Sequence, residues 1–324
     1  MSISAMPSST RRPRIVFMGT PAFAVDAIAA CHALGEVVLV VTQPDKPVGR
    51  GNKVEAPPVK RWAIEHGLDV TQPERLRGTD FHERLRALAP DVAVVAAYGR
   101  LLPQDVLDAP RLGCVNVHAS LLPKYRGAAP AQWAIARRES VTGVSLMQME
   151  AGLDTGPVFA RSLVDIAPDE TGESLLVKLA AAGADLLTRE LPPLLRGERS
   201  ATPQNAAEAT LAPIIRKEDG WLDFAHASAL ELEARSRAFT PWPGTFTTLD
   251  GKRLKILRAR AIDDESSDTP GTVISADERG IAIHCAEGAL LCLDIQIEGG
   301  KRLSAADFLK GHRLSAGTLL GGDR

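Results

Sequence analysis

The stretch RIVFMGTPAFAVDAIAACHALGEVVLVV, residues 14–41, reads as a buried strand, a helix and a second buried strand. Its runs RIVFM and EVVLVV are apolar along their length rather than alternating in polarity, which is typical of parallel strands covered on both faces. Between them the apolar residues recur at helical spacing. Because parallel strands need a crossover connection, this order predicts an α/β fold with a doubly wound, mostly parallel sheet.

The same alternation continues downstream and then changes. DVAVVAAY, GCVNVH and TGVSLMQM predict further strands, and residues 173–195 predict a long helix that closes this part of the chain. Beyond it, one helix and five short strands separated by turn residues predict a small OB-like β-barrel. We therefore expect a disordered tail at 1–13, a catalytic domain at 14–197, a linker at 198–213 and a C-terminal β-barrel domain at 214–324.

The composition narrows the class of protein. The 324 residues carry a net charge of −2, so the chain lacks the basic field of a general nucleic-acid binder. No run approaches the ~18 apolar residues of a membrane span, and the first residues lack the apolar centre of an export signal. The cysteines lie far apart without a CxxC pair, which predicts reduced, buried thiols, no metal site and a cytoplasmic protein. They are Cys31, Cys114, Cys285 and Cys292.

The turn after the first strand lies where a dinucleotide-binding protein carries its glycine motif. GTPAF stands where such a protein would carry GxGxxG, but only Gly19 is present. The glycines that let a pyrophosphate approach and a helix pack closely are therefore missing, which disfavours a nicotinamide dehydrogenase. We interpret Gly19 as a tight strand-to-helix turn.

Asn116 and His118 lie two residues apart at the end of a strand in NVHASLLPKYRGAAP, residues 116–130. Side chains at this spacing point to one face of a strand, and ligands bind at the carboxyl edge of an α/β sheet. The alternative is a loop in which both side chains cap backbone groups, and for a lone histidine it would be the better interpretation. A donor amide and a titratable imidazole beside a constrained loop favour a reacting centre.

Asp154 follows the next strand in MEAGLDTGP, residues 149–157, between Gly152 and Gly156. Alone, it would be interpreted as a turn residue whose side chain bonds the backbone. Paired with His118 across neighbouring strand ends, it would orient the imidazole and favour its charged form, which suits acyl transfer better than phosphoryl transfer. The sequence has no GxSxG, HExxH or P-loop motif, so we expect direct transfer between two bound substrates.

At these residues the sequence resembles the folate-dependent formyltransferases. Their fingerprint is Asn-x-His at a strand end, an SLLP loop and a distal Asp in a Gly-bounded loop, here Asn116, His118, residues 120–123 and Asp154. The resemblance implies that Asn116, His118 and Asp154 are catalytic. It implies 10-formyltetrahydrofolate as the formyl-donor co-substrate, with no permanently bound cofactor. The folate-binding residues that it implies are Ser120, Leu121, Leu122, Pro123, Tyr98, Gly99 and Leu101.

Within that family the chain is most similar to the members that formylate initiator methionyl-tRNA for translation initiation. Residues 42–60, TQPDKPVGRGNKVEAPPVK, resemble the loop with which those members grip the acceptor stem, and the likeness runs from residue 14 to about 313. It implies tRNA contacts by Lys46, Arg50 and Lys53. From charge alone, a solvated surface loop is the better interpretation of this segment.

The basic segment KRLKILRARA, residues 252–261, also has two interpretations. Lys252, Arg253 and Lys255 form a phosphate track for tRNA on the predicted barrel, or the cations protect an exposed edge strand from aggregation. We expect Trp242 to pack at the base of the barrel.

Two rival functions stay open at this point. Formyltransferases that act on amino-sugar nucleotides share the fingerprint and would be indifferent to methionyl-tRNA. A non-enzymatic rival is an RNA-binding module on an inactive folate scaffold. We expect a monomer without membrane contact, whose partners are the tRNA and the folate donor.

Overall fold

The computed structural model describes residues 11–48 and 53–321, which fold as two compact units. The first unit contains the described residues up to Arg126 together with 143–164 and 177–210. The second contains 127–142, 165–176 and the chain from Leu211 onward. Each unit is therefore assembled from separate stretches of sequence. The segment that we predicted as a linker is divided, with 198–210 in the first unit and 211–213 in the second.

The first 200 residues alternate strands and helices as predicted. The elements are β1 Arg14–Gly19, α1 Val25–Leu34, β2 Glu36–Val41, β3 Lys46–Val48, β4 Lys53–Glu55, α2 Pro58–Glu65, β5 Val70–Thr71, α3 Phe81–Ala87, β6 Val92–Ala96, α4 Gln104–Leu107, β7 Cys114–His118, β8 Arg126–Gly127, α5 Pro130–Ala136, β9 Val141–Gln148, β10 Val158–Asp165 and α6 Gly172–Leu195. Seven of the strands form one sheet in the order β10-β9-β7-β6-β1-β2-β5.

The centre of this sheet is parallel and apolar. β1 pairs in parallel with β2 and β6, and β7 continues the parallel arrangement beside β6. Ile15, Phe17 and Val94 are fully buried, as expected for strands covered on both faces. Burial of these β-branched and aromatic side chains supplies the main driving force for this unit. The predicted doubly wound, mostly parallel sheet is confirmed.

Gly19 ends β1 where the chain turns toward the first helix. A Cβ at this position would lie 2.7 Å from Cε1 of Phe17 and 3.0 Å from the carbonyl oxygen of Ala96. Both distances are shorter than a side chain tolerates, so close packing requires glycine here. The interpretation of Gly19 as a tight strand-to-helix turn is confirmed.

β9 runs antiparallel to β7, in a register that places His118 opposite Ser145 and Val115 opposite Gln148. The carboxyl end of β9 therefore lies beside the beginning of β7, away from His118. The loop at 149–157 has to fold back along β7 to reach the histidine. Sequence periodicity cannot supply this reversal, because a buried strand has the same pattern in either direction.

The loop at 42–60 contains a short hairpin. β3 and β4 pair antiparallel, with Lys46 opposite Glu55. Arg50 and the side chain of Lys53, which we predicted as tRNA contacts, lie outside the described residues.

At the amino end of the described residues, Nη2 of Arg11 lies 3.4 Å from Oδ2 of Asp91.

The rest of the chain supplies most of the second unit. Its elements are β11 Leu211–Ala212, α7 Ala229–Ala238, β12 Thr245–Leu249, β13 Lys252–Ile262, β14 Val273–Asp277, β15 Gly280–His284, β16 Ala289–Ile297, β17 Leu303–Ser304 and α8 Ala305–Gly311. The sheet order is β12-β13-β16-β15-β14, with β17 on β16, and the pairs are antiparallel. The five predicted strands and the helix before them are confirmed.

Two interpretations of this unit are wrong. β13 pairs with β12 on one side and β16 on the other, so it is an interior strand and its cations do not protect an edge. Trp242 is 55% exposed and does not pack at the base of the sheet. The core is instead filled by residues such as Leu254, Ile295 and Phe308, each at most 1% exposed.

The cysteine side chains lie in the interior of the protein. All four thiols are free and buried, as predicted, and burial raises the pKa of Cys114 and Cys285 to about 12. Such thiols are poor nucleophiles at neutral pH. Across 11–48 and 53–321, no helix combines the length and the apolar character that a bilayer crossing requires.

Candidate active site

β7 carries two polar side chains inside an otherwise apolar sheet. Asn116 and His118 are 9% and 6% exposed, so both are nearly removed from water. Their spacing of two puts them on one face of the strand, as predicted. β6 and β9 pair with the backbone of β7 on its two sides, which fixes the position of both residues. A polar side chain buried in this way needs a hydrogen-bonding partner, and this requirement points to a functional role.

Two oxygen atoms face the ring nitrogens of His118. Nε2 lies 3.0 Å from the carbonyl oxygen of Tyr125, a hydrogen-bond distance at which the ring donates. Nδ1 lies 3.8 Å from Oδ2 of Asp154. Both neighbours are acceptors, but only the carbonyl lies within hydrogen-bond distance, so the carboxylate is an electrostatic neighbour of the ring. The predicted approach of Asp154 to His118 is present in the structure.

Asp154 is held in an unusual backbone conformation. Its φ angle is +52°, in the left-handed region that non-glycine residues seldom adopt. Gly156 packs so closely that a Cβ would collide with the carbonyl oxygen of Gln148. The carboxylate is 16% exposed and faces His118. Strain of this kind persists only where the surroundings enforce it, and it is concentrated at functional sites.

The loop after β7 is fastened through Ser120 and Ser145. The hydroxyl of Ser120 donates to the carbonyl oxygen of Lys124 at 2.6 Å. The hydroxyl of Ser145 donates to the carbonyl oxygen of Ser120 at 2.7 Å and accepts from the backbone N–H of Leu122 at 3.0 Å. Ser120 is fully buried, so these contacts make it a structural residue of the loop.

The residues predicted to bind folate differ in exposure. Tyr98 and Leu122 are each 1% exposed, whereas Leu101 is 76% exposed and Gly99 is also exposed. The carbonyl oxygen of Tyr98 accepts from Nε2 of Gln43 at 2.9 Å, which anchors the segment after β6. The exposed members of the predicted set are therefore Gly99 and Leu101, whereas Leu121 and Pro123 are half-buried. The assignment of this set to folate stays a prediction.

The hydroxyl of Tyr98 is buried and has no hydrogen-bond partner among the described residues. Burial raises the pKa of this hydroxyl, against the smaller opposing effect of the charge on Arg100. Tyr98 is therefore a neutral phenol at physiological pH.

The predicted tRNA-binding residues of the second unit lie on β13. Lys252 and Arg253 are exposed, and Lys255 is half-buried. The guanidinium of Arg253 lies 4.1 Å from the centre of the Phe246 ring. In the first unit, Lys46 is exposed and its ammonium donates to Oε1 of Gln43 at 2.7 Å. These cations are accessible, and their role in tRNA binding stays a prediction.

Sequence reasoning missed three contributions to this site. Tyr125 supplies a backbone carbonyl to His118, and Gln204 and Arg126 support the loop that carries Asp154. A backbone carbonyl has no sequence signature. Gln204 lies in the polar, Pro-containing segment that we predicted as a linker, where nothing in the residue pattern distinguishes it from its neighbours.

Two sequence models of known families match the chain. The family described as Formyl transferase matches residues 13–191, and the one described as Formyl transferase, C-terminal domain, matches residues 214–313. Among curated proteins, the methionyl-tRNA formyltransferase of Myxococcus xanthus is 58% identical over 307 residues, which cover 95% of this chain and 97% of that protein. The methionyl-tRNA formyltransferase of Koribacter versatilis is 49% identical over 309 residues, 95% of this chain and 98% of that protein.

Solved structures share the fold at low sequence identity. The N-formyltransferase of Helicobacter canadensis, in complex with folinic acid and dTDP-3-aminofucose, has a TM-score of 0.64 at 16% identity and covers 90% of this chain and 100% of that one. HypX of Aquifex aeolicus in complex with tetrahydrofolic acid has a TM-score of 0.59 at 18% identity. That match covers 94% of this chain and 50% of the HypX chain.

Proposed function

The chain belongs to the formyl transferase family, and from this premise we propose that it transfers a formyl group from 10-formyltetrahydrofolate to the α-amine of initiator methionyl-tRNA. The acceptor is supported by relatives that are 44% to 58% identical over nearly the whole chain and carry the name methionyl-tRNA formyltransferase. The observation that carries the proposal is the imidazole of His118, held between the Tyr125 carbonyl and the Asp154 carboxylate on the strand that also presents Asn116.

Asn116 and His118 would stabilise the negative charge that forms on the formyl oxygen. When the amine attacks the formyl carbon, electrons move onto that oxygen and the carbon becomes tetrahedral. The side-chain amide of Asn116 supplies N–H donors from a rigid strand, and a donor fixed in advance in a nearly dry site is worth more than one in water. Since Nε2 of His118 faces the Tyr125 carbonyl, Nδ1 is the ring nitrogen that would donate to the oxygen.

Asp154 would orient the ring of His118. At 3.8 Å from Nδ1, the carboxylate is close enough to interact electrostatically with the ring and too far for a strong hydrogen bond that would hold the proton away from the substrate. The same carboxylate can pass a proton through water from the attacking amine to the departing folate nitrogen. No covalent enzyme intermediate is needed in this scheme.

The two substrates would contact different parts of the chain. We assign the folate to Gly99, Leu101 and the loop at 120–123, on the first unit. We assign tRNA phosphates to the loop at 42–60 and to the cations of β13. This assigns catalysis and part of the tRNA contact to the domain predicted at 14–197, and the rest of the tRNA contact to that predicted at 214–324. We further propose that the protein acts as a monomer in the cytoplasm.

A direct assay of acceptor choice tests the proposal. Purified protein is incubated with 10-formyltetrahydrofolate and either initiator methionyl-tRNA or an amino-sugar nucleotide, and formylated product is measured. We expect product from the tRNA alone. Formylation of the sugar nucleotide with none of the tRNA would establish the rival enzyme class, and no product from either would indicate an RNA-binding module without activity.

Arg50→Ala tests the predicted tRNA loop. Removing one phosphate contact should raise KM for methionyl-tRNA by about tenfold, with KM for the folate donor unchanged. Arg61→Ala, an exposed change on the nearby α2, serves as the control. If the Arg50 variant affected both substrates equally, the loop would have no part in tRNA recognition.

A further inference from the structure

Gln204 lies outside the strands and helices, yet its side chain makes four hydrogen bonds. Its amide Nε2 donates to the carbonyl oxygens of Asp154 at 2.8 Å and Gly156 at 2.7 Å. Its Oε1 accepts from Nε and Nη2 of Arg126 at 3.1 and 2.8 Å. Both polar ends of one side chain are thus used, one on each of two active-site loops.

Arg126 continues the connection to His118. It directly follows Tyr125, whose carbonyl oxygen lies 3.0 Å from Nε2 of the histidine. The same short stretch is fixed by Thr210, whose hydroxyl accepts from the N–H of Tyr125 at 2.9 Å and whose carbonyl accepts from the N–H of Arg126 at 2.8 Å. The partner of one ring nitrogen is therefore tied to the chain at 204–210.

Asp154 forms the other half of the connection, because its carboxylate faces the opposite ring nitrogen. Its φ of +52° is unfavourable for a residue with a side chain. A hydrogen bond to its own carbonyl oxygen restrains the orientation of that peptide, and a second bond two residues on restrains the return of the loop. Upstream, Thr202 and Val158 exchange N–H···O bonds at 2.8 and 2.9 Å, which secure the chain before Gln204.

We propose that Gln204 is a positioning residue for the formyl transfer, acting through Asp154 and His118. Its side chain joins the loop at 149–157 to the loop at 119–126, and so fixes the carboxylate and the Tyr125 carbonyl on the two sides of one imidazole. This inference rests on the proposed function for its chemical consequence. The geometric part, that Gln204 holds the Asp154 loop, stands independently of the substrate.

Gln204→Ala tests the proposal by two readouts. A displacement of about 1 Å at a reacting group can lower the rate by about 100-fold, so we expect kcat for methionyl-tRNA to fall by about 10- to 100-fold. KM for both substrates should stay within about twofold, because Gln204 is assigned to neither binding surface. Independently of activity, hydrogen exchange of the peptide 149–157 should become faster in the variant.

Asn205→Ala is the matched control. Asn205 is the next residue, and its side chain caps the short turn at 206–208 by accepting from the N–H of Ala207 at 3.1 Å. The change disturbs the same segment without removing a bond to either loop. We expect kcat and the exchange of 149–157 to match those of the unaltered protein.

Gln204→Glu removes the hydrogen-bond donor of the side chain and keeps its acceptor. Because the two side chains have the same shape, it also serves as a second variant if the alanine variant does not fold. A carboxylate still accepts from Arg126 but cannot donate to Asp154 and Gly156. We expect the same loss of kcat as in the alanine variant. Full activity of Gln204→Glu would overturn the proposal.

A double-mutant cycle with Asp154→Asn shows whether Gln204 acts through the carboxylate. If it does, Gln204→Ala should reduce the residual kcat of Asp154→Asn by less than about twofold. Fully additive losses, or unchanged kcat and exchange in Gln204→Ala, would overturn the proposal. If the unaltered protein failed to formylate methionyl-tRNA, the proposed function would be wrong, and the exchange of 149–157 alone would decide whether Gln204 holds the loop.

Discussion

The site on β7 and the cationic surface of β13 are both built on sheets, but they differ in the exposure of their polar side chains. Those of β7 are buried, and the cations of β13 face solvent. At β7, Asn116 and His118 are buried, and the ring of His118 has a defined atom on each side. On β13, Lys252 and Arg253 are exposed, and the guanidinium of Arg253 lies over the ring of Phe246. The first arrangement surrounds a buried ring with defined partners, whereas the second presents exposed positive charge to solvent.

The difference shows what each region is suited to do. A reaction that develops charge on one oxygen atom needs donors that are already in place, because reorganisation adds to the barrier. A surface that binds a polyanion needs many cations that can adjust to phosphates, and each contributes a small, salt-dependent part. Substitutions at β7 should therefore change kcat by large factors, and substitutions on β13 should change KM by small ones.

Asn116→Ala should give the largest effect. Loss of a fixed oxyanion donor is expected to lower kcat by about 10²- to 10³-fold with little change in either KM. Steady-state kinetics with both substrates measure this, and thermal melting checks that the variant is folded. Turnover within about threefold of the unaltered protein would exclude the oxyanion role and would remove the contrast between the two regions.

Arg253→Ala should give an intermediate effect of a different kind. We expect KM for methionyl-tRNA to rise by about fivefold at unchanged kcat. The slope of log K for tRNA binding against log salt concentration should become less steep by about one. Arg279→Ala is the control, because Arg279 lies in the same unit but is held by Asp277 at 2.7 Å. A fall in kcat without a change in KM would contradict the assignment of β13 to tRNA.

Asp294→Asn should give the smallest effect, on stability. Burial acts to raise the pKa of Asp294, but Arg302 and Arg258 outweigh it and hold the pKa below its usual value. The carboxylate therefore stabilises the fold above its ordinary pKa, and this stabilisation is lost as the pH falls through the lowered pKa. At pH 7 the variant should be less stable by up to about 1 kcal/mol, since Arg258 is 59% exposed and screened.

Urea unfolding at pH 7 and pH 2 measures this difference. The two proteins should differ at pH 7 and differ less at pH 2, because protonation of the carboxyl group removes its attraction to the two guanidinium groups. A difference of the same size at both values would show that Asp294 acts through packing rather than charge. The result also bears on tRNA binding, because Arg258 is already paired at 3.0 Å and is a poorer phosphate ligand than Arg253.

The framework of the fold could be predicted because its signals are local. Apolar β-branched runs identified the strands, and helical spacing identified α1, α6 and α7. The pairing of Asn116 with His118 followed from the two-residue period of a strand. Each of these inferences depends on a repeat or a spacing that the sequence states directly.

The remaining features depend on contacts between distant segments. The interior position of β13 is set by its partners on both sides, and a basic strand has the same composition in the interior as at an edge. The exposure of Trp242 depends on which side of a turn the core occupies. Two of the four hydrogen bonds of Gln204 go to backbone carbonyls, which every residue possesses, and the other two come from Arg126, which is 78 positions away in sequence, so its partners could not be recognised from the residue pattern.

The division of the chain at residue 210 bears on how the protein can be shortened. The chain at 198–210 has the composition of a spacer, yet Thr202 pairs with Val158 and Thr210 secures Tyr125. A fragment ending at 197 would contain Asn116, His118 and Asp154 and would lack the length of chain that fastens the loops around them. Tolerance to truncation follows backbone hydrogen bonding rather than composition. An active amino-terminal fragment would therefore have to extend through Thr210. An insertion into the predicted linker at 198–213 is better placed after that residue than before it.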